Sequence, residues 1–180
     1  MASPAGRGSE RSAVSAAGAS APKARVFWTA FFTVLVLDII TKLLAARHLM
    51  LGVPYDVVGN AVRLTLAYNR GAAFSMHVGD ASRWFFSLVA VVVLVFLGRL
   101  YRASRPGDVV RALALGLVCA GAIGNLIDRL RSPLGVIDFI DVGIGEQLRW
   151  YTFNVADMGV SIGAILLAWS LWREERRSKR

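Results

Sequence analysis

Two aspartates are the residues of this sequence best suited to chemistry. Asp157 lies at the start of an apolar run, 155–172, that is long enough to enter a bilayer. A carboxylate there costs free energy, so it is usually buried against a partner and usually functional. Asp138, in the segment 136–141, is available as that partner. Two carboxylates at a membrane edge could share a proton and hydrolyse a bond by acid–base catalysis.

The rest of the sequence indicates a membrane protein that would position these two groups. The chain has 180 residues, of which 56% are hydrophobic, and this is too apolar for a soluble domain of its size. About 20 apolar residues cross the roughly 30 Å of hydrocarbon in a bilayer. Four stretches approach that length, and they predict an all-α integral membrane protein with one membrane domain over 26–173 and spans at about 26–48, 82–101, 109–130 and 154–172.

The two ends of the chain differ from this domain. Residues 1–25 are rich in Ala, Ser and Gly without periodicity, which predicts a disordered tail, and residues 174–180 form a short basic tail. The first apolar run starts late and is long, which favours an uncleaved signal anchor over a secretory signal. Basic residues precede span one, flank the turn between spans two and three, and follow span four. The positive-inside rule therefore places both termini in the cytoplasm, and nucleic acid is not expected as a partner.

Span one carries a charged pair. Asp38 and Lys42 are four residues apart, so they share one helix face, with the acid on the N-terminal side as favours a helical ion pair. The pair could simply neutralise itself so that span one can insert, and this structural role is preferred. A role in the active site is the alternative.

Spans three and four each bring polar side chains to the outer leaflet. Asn125 and Asp128 share a face at the outer end of span three, and Asn154 and Asp157 share one at the outer beginning of span four. The asparagines could join helices by hydrogen bonds or contact substrate. Asp128 is followed by Arg129, so an interfacial ion pair is an alternative for it. Asp157 has no base within a turn in its own span, which makes it the hardest of these to explain structurally.

Small residues predict that spans three and four pack closely. Gly121 and Gly124 lie in span three, and Gly159 and Gly163 are spaced as a small-xxx-small face in span four. Packing at these glycines would bring the ends that carry Asp128 and Asp157 together.

The connection 49–81 between spans one and two contains a strand pattern. Residues 61–68 alternate between apolar and other side chains, and the triplet Asn69, Arg70 and Gly71 then indicates a turn before the small residues at 72–75. Such an edge could bind an extended peptide by strand addition.

Other polar residues suggest no further site. Cys119 is the single cysteine and is expected to be a buried apolar residue, while His48 and His77 belong to no ligand-like cluster, so neither a metal nor another cofactor is predicted. Asp141 is expected in a loop, exposed to water.

The chain resembles the bacterial lipoprotein signal peptidases, also called signal peptidase II. The resemblance covers nearly all of the sequence after residue 25, and the family's motifs occur in the family's order. They are Asp38 with Thr41 and Lys42, then 68–75, then 121–129, then 136–141, then 153–157. The chain departs from the pattern at Ala120, where the family has a glycine, and in a slightly longer segment between Asp128 and Asp138.

The resemblance implies an aspartyl endopeptidase of the bacterial inner membrane. Members cleave the signal peptide from diacylglyceryl-modified prolipoproteins just before the lipidated cysteine. Prolipoprotein substrates and membrane lipid are thus the implied partners of a chain expected to be monomeric. By motif, the catalytic residues are Asp138 and Asp157. The residues that match supporting or substrate-binding positions are Asn69, Asn125, Asp128, Arg129, Asn154, Asp38 and Lys42. A small extracytoplasmic β-cradle is implied between helices 1 and 2.

Two other classes compete with this interpretation. Intramembrane aspartyl proteases of presenilin or prepilin-peptidase type carry a Gly-x-Gly-Asp signature, which this sequence lacks. A small proton-coupled transporter could use Asp38, Asp128 and Asp157, and it is the alternative function. Transporters tend to bind substrates near the midplane between inverted repeats, whereas these acids are predicted at one leaflet and no repeat is evident.

Overall fold

The computed structural model describes residues 6–71, 81–145 and 147–179, with only the backbone for residues 6–21. The described chain folds into helices and a small sheet. In chain order the elements are α1 (Gly6–His48), β1 (Pro54–Val58), β2 (Val62–Asn69), α2 (Ser82–Ala103), α3 (Val109–Arg131), β3 (Val136–Ile144), β4 (Leu148–Arg149) and α4 (Val155–Ser178).

All four helices of the described chain are long and apolar enough to cross a membrane, which makes this a multi-pass membrane protein as predicted. The candidate spans are Pro22–His48, Ser82–Ala103, Val109–Arg131 and Val155–Ser178. Helix α4 continues six residues beyond the predicted end of span four at 172. The added residues are mainly Arg and Glu, which are good helix formers.

The structure also differs from the predicted disordered tail over residues 6–25, which are helical and continuous with the first span. Six alanines between residues 13 and 24 give this segment high helix propensity, which the composition argument for disorder did not weigh. Near the end of this extension Lys23 is buried and its Nζ donates hydrogen bonds to the carbonyls of Tyr101, at 2.7 Å, and Ser104, at 2.8 Å. These bonds satisfy carbonyl groups at and just after the C-terminal end of α2, where the carbonyl of Tyr101 also accepts from Ser104 Oγ at 2.7 Å.

Helix α3 is the centre of the bundle and contacts the other three helices. Its Leu115 is fully buried, in a core that also includes Phe27, Phe31 and Leu97 from α1 and α2. Helix α2 has the opposite character, because most of its large apolar side chains are exposed. In a protein with four candidate spans, such a surface faces lipid.

Glycines in α3 permit the close approach that the sequence predicted. A Cβ atom at Gly121 would collide with the carbonyl oxygen of Ala156 in α4, and a Cβ at Gly124 would collide with Oδ2 of Asp38 in α1. The backbone of α3 therefore lies directly against the first turn of α4 and a carboxylate of α1.

The sheet is antiparallel with strand order β1-β2-β3-β4, and it caps one end of the bundle, here called the sheet end. The predicted strand at 61–68 is confirmed as β2. The prediction of a cradle between helices 1 and 2 was incomplete, because β3 and β4 come from the connection between α3 and α4. Residue Ala67 of β2 pairs with Asp138 of β3. Strand partners so far apart in sequence cannot be identified from local alternation.

Asp141 does not lie in a loop, and the expectation that it is exposed was wrong. It is in β3 and is 8% exposed. Arg149 Nε donates to Asp141 Oδ1 at 2.7 Å, and Thr65 donates to Oδ2 at 3.2 Å. This ion pair joins β3 to the short strand β4, and a buried carboxylate is tolerated there because it is paired and hydrogen-bonded.

Candidate active site

Lys42 is the centre of a buried polar cluster at the sheet end of the bundle. Its Nζ lies 2.8 Å from Asp38 Oδ2 and 2.8 Å from Asp128 Oδ2, and it donates to Asn125 Oδ1 at 2.9 Å. Three oxygen atoms thus surround the ammonium group, whose side chain is only 3% exposed. Helices α1 and α3 are therefore joined by charged hydrogen bonds at this level.

Asp38 extends this connection to the fourth helix. It is completely buried, and its Oδ1 accepts a hydrogen bond of 2.9 Å from the backbone N–H of Ala156. That N–H belongs to the first turn of α4, where no residue of the helix can accept from it. The contacts of Asp38 are with protein groups on three helices, which supports the structural role preferred from the sequence.

Asn154 forms the N-cap of α4. Its side chain accepts from the N–H of Asp157 at 2.9 Å, and Asp157 Oδ2 accepts from the N–H of Asn154 at 3.1 Å. This reciprocal pair is a capping box with an aspartate in the place of the usual glutamate. The orientation of the Asp157 carboxyl is therefore fixed by the start of the helix itself.

The same asparagine connects the two candidate catalytic aspartates. Asn154 Nδ2 donates to Asp138 Oδ1 at 2.7 Å, with further acceptors at 3.1 Å in Asn125 Oδ1 and at 3.2 Å in the carbonyl of Ile137. Asn154 is fully buried. Its amide thus holds Asp138, on β3, beside the first turn of α4 that carries Asp157.

The amide of Asn125 has only one possible orientation in this network. Its Oδ1 accepts from Lys42 and from Asn154, so its Nδ2 must face the other way, and it donates to Asp157 Oδ1 at 2.8 Å. Each oxygen of the Asp157 carboxyl therefore has a donor.

Asp138 is placed where a proton is held near neutral pH. The residue is 4% exposed, and burial together with the neighbouring charge of Asp157 raises its pKa to about 7. Hydrogen bonds from the side chains of Asn154 and Asn69 oppose this increase because they stabilise the ionised form. The two carboxyls can therefore act as a pair in which one is protonated and the other ionised.

Asp128 and Arg129 do not form the ion pair that was considered as an alternative. Asp128 binds Lys42 and accepts from the N–H of Ile137 at 3.3 Å. Arg129 instead donates from Nη2 to the carbonyl of Gly71 at 2.9 Å and from Nη1 to that of Asn125 at 3.3 Å. It thereby holds the chain just after β2 against α3. Residues 72–75, which the sequence singled out beyond this point, lie outside the described residues.

A cavity of about 1010 Å³ opens beside the two aspartates. Its polar wall contains both of them, with Asn69, Asn125 and Arg129. Its apolar wall follows α4 down the span and includes Met158 and Ile162, both exposed on the outside of the bundle. The cavity thus offers polar groups at the sheet end and an apolar side directed towards lipid.

Part of this wall was not identified from the sequence. Residues 150–152, which include Trp150 and Tyr151, line the cavity shortly before α4. Trp and Tyr next to a span are typical of the membrane interface, and this signal could have drawn attention to the segment.

Of the remaining polar residues, Cys119 lies in the apolar core as expected. His48 is the last residue of α1, and His77 is outside the described residues. Within the described chain, no three His, Cys, Asp or Glu side chains are grouped as metal ligands.

Replacing Asp38 by Asn should destabilise the protein. The change removes one of the two acids that bind Lys42 and places an amide where a carboxylate was buried. Because Asp128 still pairs with Lys42, we expect the free energy of unfolding to fall by about 1–3 kcal/mol. A fully unpaired buried lysine would cost more. Melting temperature and purified yield should both fall.

The matched control is Asp56→Asn. Asp56 pairs with Arg63 at 2.8 Å, but its side chain is 58% exposed, so the same change there should alter stability by less than about 1 kcal/mol. If Asp38→Asn keeps a normal yield and melting temperature while activity disappears, the structural role is wrong and Asp38 belongs to the reacting groups.

Comparison with known proteins identifies relatives of this chain. The family model for signal peptidase (SPase) II matches residues 30–173. A protein of Hydrogenovibrio crunogenus named lipoprotein signal peptidase is 42% identical over 160 residues, which is 85% of this chain and 88% of the relative. A protein of the same name from Geobacter sulfurreducens is 42% identical over 158 residues, or 87% of this chain and 97% of the relative.

A solved structure has a similar fold. It is described as a bacterial membrane enzyme determined by the in meso method, and it superposes with a TM-score of 0.74 at 28% sequence identity. The match covers 83% of this chain and 88% of the solved one. The helices and sheet described above therefore form an arrangement that also exists in an experimentally determined membrane enzyme.

Proposed function

Because the chain belongs to the signal peptidase II family of aspartic-type peptidases, we propose that it removes the signal peptide from diacylglyceryl-modified prolipoproteins. In this proposal it cleaves the peptide bond just before the lipidated cysteine. The observation that carries the proposal is the position of Asn154 between the two aspartates. Its side chain donates to Asp138 and accepts from the N–H of Asp157, and both aspartates line a large cavity.

The proposed mechanism uses the two aspartates as one unit. The ionised carboxyl takes a proton from a water molecule as the water attacks the scissile carbonyl carbon. The protonated carboxyl hydrogen-bonds the carbonyl oxygen, and a proton then passes to the leaving amine as the C–N bond breaks. The elevated pKa of Asp138, about 7, supports a single shared proton at neutral pH. Because the two carboxyls titrate together, the shared proton is assigned to the pair and not to one of the two aspartates.

Asn69, Asn125 and Asn154 would hold the two carboxyls in this mechanism without exchanging protons themselves. Amide donors on an aspartate stabilise its charged form, so they keep the ionised member of the pair available as a base. No metal or cofactor is required by these steps.

The substrate peptide would bind along the side of β2 that faces the cavity. Strand β1 pairs with β2 only as far as Thr65, and Leu51 bridges to Leu66. Beyond that point 67–69 pair with β3, and these same residues line the cavity. An extended peptide could therefore add to this edge and bring a backbone carbonyl to the aspartates.

The lipid of the substrate would occupy the apolar side of the cavity. That side runs along α4 past Met158 to Ile162, in the part of the protein that lies within the membrane. Acyl chains could stay in the bilayer while the peptide reaches the polar wall.

This arrangement requires the sheet end to lie at the outer leaflet of the bacterial inner membrane. The arginines around the α2–α3 turn and at the end of α4 support a cytoplasmic location for the opposite end. Both termini would then be cytoplasmic, and a monomer would be sufficient because every residue of the proposed mechanism is in one chain.

The test of the proposed function is direct cleavage. The purified protein is incubated with a diacylglyceryl-modified prolipoprotein, and the products are identified by mass spectrometry. The expected products are the signal peptide and a mature lipoprotein that begins with the lipidated cysteine. The transporter alternative has no support in the comparisons, whose named relatives are peptidases.

The rate of cleavage should fall as the pH rises above neutrality. The Asp138 carboxyl, with its pKa raised to about 7, is protonated below that pH and loses its proton above it. Loss of the shared proton removes the group that hydrogen-bonds the scissile carbonyl, so kcat/KM should decrease with an apparent pKa near 7. A rate that stays constant from about pH 6 to 9 would contradict this prediction.

Asn69→Ala should move this decrease to higher pH. The hydrogen bond from Asn69 lowers the pKa of Asp138, so its removal raises that pKa and preserves the shared proton further into the alkaline range. The matched control is Asn60→Ala, since Asn60 accepts from Arg63 in the β1–β2 turn and is not part of the cavity wall. An identical pH profile for Asn69→Ala and the unmodified protein would count against the assignment.

A further inference from the structure

A second cavity, of about 860 Å³, lies at the end of the bundle opposite the sheet. It is a groove between the turn that joins α2 to α3 and the last turns of α4. The wall of this groove includes Arg105, Val109, Trp169, Arg173 and Arg177.

The walls of the groove are held together by a buried arginine. Arg111 is 5% exposed, and its Nη2 donates to Glu174 Oε2 at 2.6 Å, while its Nε lies 3.3 Å from Asp108 Oδ2. The N–H of Arg111 also donates to Asp108 Oδ1 at 3.0 Å. Both acids of the groove are therefore engaged with Arg111, which joins the start of α3 to α4.

The arginines at the rim lack comparable partners. Arg105 approaches Glu174 only to 3.9 Å, and its side chain is 78% exposed. Within the described chain, neither Arg173 nor Arg177 forms an ion pair, and Arg173 lies over the ring of Trp169 at 4.7 Å. Together with Arg111, these three arginines make four positive charges against the two acids Asp108 and Glu174, so the groove keeps an excess of positive charge that would bind an anion.

The position of the groove indicates that the anion belongs to a lipid. Trp169 lies within the candidate span of α4, near the point where the charged residues begin, and tryptophans at such positions lie at the level of lipid head groups. Val109 and Val110 give the groove an apolar side. Basic pockets between transmembrane helices are suited to acidic head groups. We propose that this groove binds the phosphate head group of an anionic phospholipid, with Arg105, Arg173 and Arg177 as its ligands.

The test measures lipid binding by the full-length protein purified in a neutral detergent. Dioleoylphosphatidylglycerol is titrated, retained lipid is counted by native mass spectrometry, and thermal unfolding is followed in parallel. Dioleoylphosphatidylcholine has the same acyl chains and serves as the zwitterionic comparison. Inorganic phosphate at equal ionic strength distinguishes a site for free phosphate from a site for lipid.

The groove variant is the triple change Arg105→Gln, Arg173→Gln and Arg177→Gln. Its matched control is Arg99→Gln, Arg102→Gln and Arg176→Gln. The control removes the same charge from the same end of the protein, but none of its residues lines the groove. Arg176 even stacks on a tryptophan, Trp172 at 4.2 Å, as Arg173 does on Trp169.

We expect the unmodified protein to retain phosphatidylglycerol in preference to phosphatidylcholine and to melt at a higher temperature with it. The groove variant should bind it at least about tenfold more weakly, while the control stays within about threefold. If both variants bind phosphatidylglycerol equally weakly, the binding depends only on net charge and the proposal is overturned. Unchanged binding by the groove variant would also overturn it. Equal stabilisation by inorganic phosphate would assign the groove to a soluble anion instead. None of these outcomes depends on peptidase activity.

Discussion

Replacing either Asp138 or Asp157 by Asn should abolish cleavage of a lipidated prolipoprotein while the protein remains folded in the membrane. Each change keeps the shape of the side chain and much of its hydrogen bonding, but it removes a group that can gain or lose a proton. General acid–base catalysis contributes up to about four orders of magnitude to a rate, so we expect kcat to fall at least about a thousandfold. The measurement is turnover by purified variants.

The double variant should be little worse than either single one, because the two carboxyls act as a unit and loss of one disables the other. Asp141→Asn is the matched control. Asp141 is a buried carboxylate of the same strand as Asp138, but it pairs with Arg149 outside the cavity wall. It should lose stability and keep its turnover per folded molecule. Near-normal turnover by well-folded Asp157→Asn would refute the two-aspartate mechanism.

Removing the lipid from the substrate should reduce kcat/KM by about a hundredfold. The apolar side of the cavity follows α4 to Ile162, where acyl chains could contact the helix without leaving the bilayer. Each methylene of an acyl chain that passes from water into the membrane contributes about 0.8 kcal/mol, so the lipid holds the substrate in the membrane beside the cavity. A few such methylenes account for a preference of about a hundredfold, while the peptide along 67–69 determines which bond faces the aspartates.

The comparison uses two peptides of identical sequence, one with a diacylglyceryl cysteine and one with a free cysteine. Both are presented in the same detergent, and initial rates give kcat/KM for each. A third substrate with short acyl chains should fall between them, because it buries fewer methylenes. Equal kcat/KM for the first two would refute lipid-dependent recognition while leaving the aspartyl mechanism intact, so this test is independent of the previous one.

The helices were predictable because their signal is local. An apolar run of about 20 residues identifies a span whatever its neighbours are, and the predicted and observed spans agree except at their ends. Strand β2 was predictable for the same reason, because the alternation of apolar and other side chains is also a local pattern. Helical spacing also placed Asn125 with Asp128, and Asn154 with Asp157, on common faces. All nine residues assigned to the site from the sequence lie at the sheet end of the bundle in the structure, although their roles in cleavage stay a prediction.

The partners of these residues were less predictable. Lys42 was expected to pair within its own helix, and nothing in the local sequence indicates that Asp128 and Asn125 also bind it. Asp141 was misplaced because its partner, Arg149, is brought near it only by the β3–β4 hairpin. Contacts of this kind depend on how elements pack, whereas periodicity reports only what each element would do alone.

The contacts of Asp38 also bear on the order in which the protein can be assembled during synthesis. A ribosome makes α1 before α3 and α4, so Asp38 and Lys42 enter the membrane before Asp128, Asn125 or the N–H of Ala156 exists. The spacing of four residues gives the lysine an acid on its own helix from the start, which lowers the cost of inserting it. The later helices then add their ligands to a charge that is already neutralised. The peptidase site would thus be completed only when the last helix joins the bundle, so a nascent chain should be inactive until that step.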